Sequence, residues 1–301
     1  MTLTPMDDRD GVIWYNGQMV PWRDANLHVL SHGLHYGSGV FEGERVYDGR
    51  IFKLTEHSER LQKSAEVLGF EIPYSTADID AACRAVVAEN AITEGYVRPI
   101  AWRGSEQMGV SAQKTRINLA IACWEWPRYF SEEAFDKGIK AQTSPWRRPA
   151  PDTAPTSSKA CGLYMICTMA KHQAEAAGFD DAMMLDYRGQ LAEFTGANLF
   201  LVKNGELHTP QPDCFLDGIT RRTVMELARG EGIPVHQRTM LPAELDEADE
   251  VFITGTAVEV TAVGQIDDRH YTVGPITRQL RDAYARLVRS GHDAAAEIAA
   301  A

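Results

Sequence analysis

Lys159 stands near the end of the run Pro151-Asp152-Thr153-Ala154-Pro155-Thr156-Ser157-Ser158-Lys159-Ala160-Cys161-Gly162-Leu163-Tyr164. Pro145, Pro149, Pro151 and Pro155 forbid helix upstream of it. Downstream, Leu163 to Ala177 reads as a helix closed by Gly178. The lysine therefore falls on irregular backbone among small residues, Ser157, Ser158, Ala160 and Gly162, which leave room for a bulky group. A lysine in a dry, crowded place gives up its proton more readily and becomes a nucleophile toward an aldehyde. Read alone, it is more simply a solvated loop lysine, because lysines are mostly exposed. Two other groups invite chemistry. His28, His32 and His35 suggest a metal, but no carboxylate or cysteine at ligand spacing completes the set, and no metal is expected. The pair Gly37-x-Gly39 lacks the third glycine of a phosphate loop and is discarded.

The elements that must position Lys159 follow from local pattern. Asn16-Gly17 between two apolar runs, Val12 to Trp22, marks a hairpin. Asp48-Gly49 joins Val40–Tyr47 to Arg50–Leu54 in a second one. Thr55 is expected to cap a helix through Leu68, with Leu61, Ala65 and Leu68 on one face and His57 and Arg60 near its start. Ser75 with Asp78 resembles a capping box and opens a helix that turns Ile79, Ala82, Cys83, Val86 and Val87 inward. Tyr96 to Arg103 reads as a strand on which Tyr96 and Arg98, two apart, share a face. Ile117 to Trp124 reads as a central strand. Residues 126–136 lose clear period and read as a connection, with an α+β unit before them. Beyond the lysine come strands at Asp181–Asp186, Leu191–Glu193, Asn198–Val202, Glu206–Thr209 and Val251–Thr254. One helix follows Leu216-Asp217-Gly218-Ile219-Thr220, and a last one is opened by Pro275.

Bulk properties bound the function. At 301 residues, 44% hydrophobic and 24% charged, the chain reads as an ordinary soluble globular protein of one large or two medium domains. A net charge of −12 without a basic stripe argues against nucleic acid. No apolar run approaches a membrane span, and residues 1–10 hold three acids and no apolar core, unlike a secretory signal. Five cysteines without a C-x-x-C pair fit reduced thiols in a cytoplasm.

The order of short motifs then carries a resemblance. They are His35-Tyr36-Gly37, Val40-Phe41-Glu42-Gly43, His57-Ser58-Glu59-Arg60-Leu61, Tyr96-Val97-Arg98-Pro99, Met108-Gly109-Val110, Ser158-Lys159 with Tyr164, Glu193 before Gly196-Ala197-Asn198-Leu199-Phe200, Asp217-Gly218-Ile219-Thr220-Arg221, and Thr254-Gly255-Thr256-Ala257. From about Gly11 to Arg289 the chain resembles the fold-type IV pyridoxal-phosphate (PLP) enzymes, most of all the branched-chain amino acid aminotransferases. The resemblance implies an α+β, two-domain fold like that of D-amino acid aminotransferase. A small N-terminal α/β domain would span 1–125, with 126–136 as interdomain loop. A larger PLP-binding domain with a pseudo-barrel, carrying Lys159, would span 137–301.

The same resemblance implies roles. Lys159 would hold PLP as a Schiff base and, once freed, move a proton, which needs an amine of lowered pKa. Glu193 would keep the pyridine nitrogen protonated, although alone it reads as a turn glutamate. Tyr164 would hydrogen-bond the phenolic oxygen, although alone it is equally a core tyrosine. Gly218, Ile219 and Thr220 open a helix whose free N–H groups suit a phosphate, with Arg60 and Thr256 adding donors and Leu216 packing on the ring. Tyr36, Phe41, Tyr164, Val110 and Trp126 would form an apolar substrate wall. Tyr96 and Arg98 would take the side-chain carboxylate of glutamate, and Thr256 and Ala257 the α-carboxylate. Val110 and the connecting loop would reach a neighbouring subunit, so a homo-oligomer is implied, either a dimer or a hexamer built as a trimer of dimers.

The implied reaction is transamination of L-leucine, L-isoleucine and L-valine with 2-oxoglutarate, a ping-pong exchange of amino acids and 2-oxo acids. A D-amino acid or (R)-amine transaminase, or an aminodeoxychorismate lyase, is the alternative within the fold. A PLP-binding protein without catalysis is the alternative outside it. Three residues depart from the family pattern. Cys161 replaces a commoner glycine, Phe194-Thr195 stands where small residues are common, and Trp102-Arg103 is expected to set an extra charge near the pocket mouth.

Overall fold

The computed structural model describes residues 5–126, 130 and 132–290. The chain divides into two compact units, Met1–Pro127 with Ser158–Gly162, and Arg128–Ser157 with Leu163–Ala301. The five-residue segment that carries Lys159 thus groups with the first unit, whereas a single cut in the sequence put it in the second. Of the expected connection 126–136, Trp126 belongs to the first unit, 127–129 and 131 lie outside the described residues, and Glu132–Lys137 is helical.

The first unit contains β1 (Val12–Tyr15), β2 (Gln18–Pro21), α1 (His32–Tyr36), β3 (Gly39–Phe41), β4 (Glu44–Tyr47), β5 (Arg50–Ile51), α2 (Leu54–Val67), α3 (Thr76–Glu89), β6 (Gly95–Arg103) and β7 (Ile117–Glu125). Its antiparallel sheet runs β2-β1-β7-β6-β4-β5, with β3 also on β6. Asn16 and Gly17 both take positive φ, 48° and 93°, as a tight primed turn requires. The core is where the periodicity put it: Leu61 and Ala65 of α2 and Ile79, Cys83 and Val86 of α3 pack on Val46, Val97, Leu119 and Ile121. Burying each large aliphatic side chain here contributes about 2 kcal/mol. The expected cap at Thr55 is not what starts α2. Lys53 occupies the N-cap in the left-handed region, and the Thr55 hydroxyl donates instead to Asp80 of α3 at 2.6 Å. A tertiary hydrogen bond has displaced the local one. In α3 the capping box forms as expected, Asp78 N–H donating to Ser75 Oγ and Ser75 N–H to Asp78 Oδ2.

The second unit contains α4 (Glu132–Lys137), β8 (Ile139–Thr143), α5 (Tyr164–Ala176), β9 (Asp181–Leu185), β10 (Leu191–Phe194), β11 (Asn198–Lys203), β12 (Glu206–Pro210), α6 (Ile219–Gly230), β13 (Val235–Arg238), β14 (Glu250–Gly255), β15 (Glu259–Ile266), β16 (Arg269–His270) and α7 (Pro275–Arg289). The sheet runs β10-β9-β8-β15-β14-β11-β12-β13, and β10 also pairs with β11. That extra pairing closes six strands into a barrel-like ring, which leaves no open edge among them. Ile139, Leu199, Leu201, Val251, Ile253 and Val263 fill its core. Registers place Glu193 opposite Asn198 and Asn198 opposite Thr254, so one row crosses β10, β11 and β14 on a single face. No helix among the described residues is long and apolar enough to cross a membrane.

Candidate active site

In the first unit the segment around Lys159 is fixed on both sides. Its N–H donates to Ser64 Oγ at 3.0 Å and its carbonyl accepts from the N–H of Phe41 at 3.1 Å. Ser158 Oγ donates to the Ser64 carbonyl at 2.9 Å, and Ala160 bridges Val40. The chain therefore lies along β3 and α2, and the half-buried Lys159 sends Nζ to 4.9 Å from the Phe41 ring centroid. Burial pushes the ammonium below its ordinary pKa and the Arg60 charge pushes it further; Glu42 and Tyr96 pull it partly back. An amine so placed is closer to a working base than a solvated one.

Behind Arg60 lies Glu42, which in the sequence is only one member of a motif. Glu42 is fully buried. Its two carboxylate oxygens accept from Arg60 Nε at 2.7 Å and Nη2 at 2.8 Å, and one also accepts from His57 Nδ1 at 2.6 Å. Burial opposes ionisation of Glu42, but Arg60 and His57 outweigh it and hold the carboxyl well below the usual range. Burial also lowers His57, against the pull of Glu42, so the ring is neutral with its proton on the nitrogen facing the carboxylate. Buried charges such as Glu42 are rare unless paired, and only the fold reveals the pair.

Arg98 and Tyr96 do share one face of β6. The Arg98 guanidinium carbon lies 4.8 Å from the Phe41 ring centroid and 5.3 Å from that of Tyr96. Tyr96 in turn stands 5.4 Å from the Trp126 ring. Gly43 makes this possible, because a Cβ there would overlap the Tyr96 hydroxyl. Arg98 Nε is buried without a hydrogen-bond partner among the described residues, a donor suited to an arriving carboxylate. Thus Lys159, Phe41, Arg60, Tyr96, Arg98 and Trp126 fall together, whereas Tyr36 and Val110 are exposed. The expectation for Arg103 is overturned. Its guanidinium donates to the carbonyls of Gly69 at 2.8 Å and Leu68 at 3.4 Å, over the Phe70 ring, and so caps the end of α2.

In the second unit Glu193 is buried on β10, with Oε1 3.2 Å from Arg148 Nε. Arg148 was not foreseen; its signal, an arginine between two prolines, is indistinguishable from a solvated one. Burial lowers its pKa, but Glu193, Cys167 and Tyr164 raise it more, so Arg148, Glu193 and Tyr164 form one electrostatic group. Asn198 Nδ2 donates to Glu193 Oε2 at 3.4 Å and to the Leu216 carbonyl at 3.0 Å, which links β10 to the loop before α6. Gly218 is required there because a Cβ would overlap Asn198 Oδ1. Gly218 is the N-cap of α6 and offers no side-chain cap, and the first turn has no acidic residue. The N–H groups of Ile219 and Thr220 are thus left without a side-chain cap, donors of the kind an anion takes. Asp217, just before it, is engaged by Arg221 at 2.7 Å and Arg222 at 3.0 Å. Buried Arg221 also donates to Thr209 Oγ1 and the Pro210 carbonyl, tying α6 to β12. Thr256 and Ala257 occupy the turn from β14 to β15.

The chain belongs to the amino-transferases of class IV, whose family profile matches residues 39–266. It is 44% identical over 299 residues to the branched-chain-amino-acid aminotransferase of Pseudomonas aeruginosa, covering 97% of each chain. Among solved structures it is similar to the branched-chain amino acid aminotransferase of Escherichia coli (TM-score 0.91, 38% identity, 95% and 97% of the two chains). It is also similar to the PLP-form of the enzyme from Thermobaculum terrenum (TM-score 0.85, 30% identity, 94% and 95%). The mixed α/β composition and closed barrel-like sheet are those of this fold type.

Proposed function

We propose that this protein transfers the amino group of L-leucine, L-isoleucine or L-valine to 2-oxoglutarate, giving the branched-chain 2-oxo acid and L-glutamate in two half-reactions. The observation that carries the reading is the half-buried amine of Lys159, lowered in pKa by burial and by Arg60. The residues fit PLP: a nucleophilic amine, a buried carboxylate at Glu193, and a helix N-terminus at Gly218 that no side chain or acidic first turn has already filled. Bound PLP supplies an aldehyde for the amino group and a ring that takes up the electrons released at Cα. Lys159 is the amine that carries the cofactor and the base that takes the proton from Cα of the amino acid. Glu193, paired with Arg148 at 3.2 Å, would face the pyridine nitrogen and keep a proton there. Tyr164 would donate to the phenolic oxygen, and Leu216 would cover the ring. Ile219, Thr220, Thr256 and Arg60 would donate to the phosphate. Phe41, Tyr36, Trp126 and Val110 exclude water from the aliphatic side chain. Arg98, with Tyr96, orients glutamate by its distal carboxylate, and Thr256 and Ala257 take the α-carboxylate.

The chain works as a homo-oligomer, a dimer or a hexamer of three dimers, in the cytoplasm. Val110, 86% exposed in the single chain, supports the oligomer, since an apolar pocket residue needs cover. A panel of L-leucine, D-alanine and 1-phenylethylamine against 2-oxoglutarate tests the reading. Turnover with L-leucine is expected, and turnover with D-alanine or the amine alone overturns it.

A further inference from the structure

His32 belongs to no part of the chemistry above, yet it is only 3% exposed and both ring nitrogens are engaged. Nε2 lies 2.9 Å from the carbonyl of Gly109, 77 residues away, and Nδ1 lies 2.6 Å from Ser38 Oγ. A carbonyl only accepts, so Nε2 carries the hydrogen and donates; Nδ1 accepts from the Ser38 hydroxyl. The ring is also stacked on Tyr36, with centroids 4.5 Å apart and planes at 25°. Its own N–H donates to the Gly104 carbonyl at 2.9 Å, at the foot of the same loop. One side chain thus touches both Tyr36 and the Gly109-Val110 peptide, which carry the two exposed members of the proposed substrate wall.

The loop needs such a hold. Gly109 has φ +125°, a conformation in which L side chains are strained, and open space surrounds it. Met108 and Val110 on either side are exposed. Among the described residues, the His32 bond is the hydrogen bond that the backbone of 108–111 makes; the next anchors are at Gln107 and Ala112. An apolar side chain at the tip of an unbraced loop samples many positions, and its contribution to selectivity is lost in that averaging.

We propose that His32 is a positioning residue for substrate selection: by binding the Gly109 carbonyl and stacking on Tyr36, it fixes the places of Val110 and Tyr36 and so sets the preference between aliphatic and acidic side chains. The inference rests on the reading that Val110 and Tyr36 line the substrate wall. His32→Phe keeps the stack and removes both hydrogen bonds, whereas His32→Gln retains a donor for the Gly109 carbonyl.

The test uses the full-length holoenzyme and two readouts. Amide hydrogen exchange across 106–112 should quicken about three- to tenfold in His32→Phe, as loss of one neutral hydrogen bond implies, and less in His32→Gln. The kcat/KM ratio of L-leucine to L-glutamate should fall about threefold or more in His32→Phe, mainly through KM for leucine, and the change should not add to that of Val110→Ala. Unchanged exchange in His32→Phe, or additive effects of the two substitutions on the ratio, overturns the inference. If Val110→Ala alone leaves the ratio unchanged, the wall reading of Val110 fails with it, while the exchange readout still decides whether His32 holds the loop.

Discussion

Glu42 holds Arg60 with both carboxylate oxygens, at 2.7 and 2.8 Å, and neither group has more than slight access to water. The arginine proposed to meet the phosphate is therefore oriented before any ligand arrives. Removing one partner of a buried pair leaves the other charge uncompensated. Glu42→Gln should destabilise the protein by about 3 kcal/mol in denaturant unfolding. A loss below about 1 kcal/mol would show that Arg60 finds other compensation. Because the Glu42 pKa is depressed, its stabilisation is present above pH about 4.5, the unfolded value, and fades as pH falls below it.

Glu44, two residues on, behaves oppositely. It is fully buried, and burial, then Glu42 and Asp80, raise its pKa well above the ordinary carboxylate value of 4.5. The folded form keeps a proton that the unfolded form releases above that pH, so stability drains as pH rises from 4.5 toward the folded pKa. Glu44→Gln, neutral at every pH, removes the drain. The variant should gain stability over the parent with increasing pH in that window, by up to about 1.4 kcal/mol per unit. Parallel stability-versus-pH curves for the two proteins would show that Glu44 is ionised in the fold.

Arg98 faces Phe41 and Tyr96, and its Nε has no hydrogen-bond partner among the described residues. Arg98→Ala should slow the glutamate half-reaction about ten- to a hundredfold, the equivalent of about 1.5–3 kcal/mol, and the leucine half-reaction far less. Single-turnover rates with each amino acid check this. Equal losses would mean that both substrates depend on the same contact.

Gly218→Ala forces Asn198 aside, because the new methyl would occupy the place of Asn198 Oδ1. Asn198 links Glu193 to the Leu216 carbonyl, so the strain reaches both. Overpacking of this kind costs about 1–3 kcal/mol. PLP affinity, measured by fluorescence titration of the apoenzyme, should fall about tenfold, the equivalent of about 1.4 kcal/mol. An unchanged affinity would remove the α6 N-terminus from the phosphate site.

These residues also mark how far the sequence could be read. Asn16-Gly17 and Asp48-Gly49 announced their hairpins because the turn conformation is a property of the dipeptide itself, and all four residues have positive φ. Ser75 and Asp78 announced α3 for the same local reason. What pattern could not give was long-range. The parallel pairing of β8 with β15 joins distant parts of the chain, Val263 lying opposite Ile139, and the β10–β11 closure is an alignment of strand edges. Helix α1 is five residues long in a glycine-rich stretch, too short for periodicity to mark. At the candidate site, Lys159, Tyr96 and Arg98 stood out by type and spacing. Glu42, His57, Arg148 and Asn198 did not, because a charged or amide side chain in isolation reads as solvated, and its partner is known only once the backbone has brought it near. His32 reads from the sequence as a discarded metal ligand, and the fold gives it two hydrogen bonds instead.

The proposed chemistry stands on the Lys159 amine as the group that holds PLP. Reduction of the PLP-loaded protein with borohydride, followed by peptide mapping, tests it most directly. A phosphopyridoxyl label is expected on the peptide containing Ser158-Lys159-Ala160, and none in Lys159→Ala. A label fixed on any other lysine, or a protein that takes up no PLP, would contradict it.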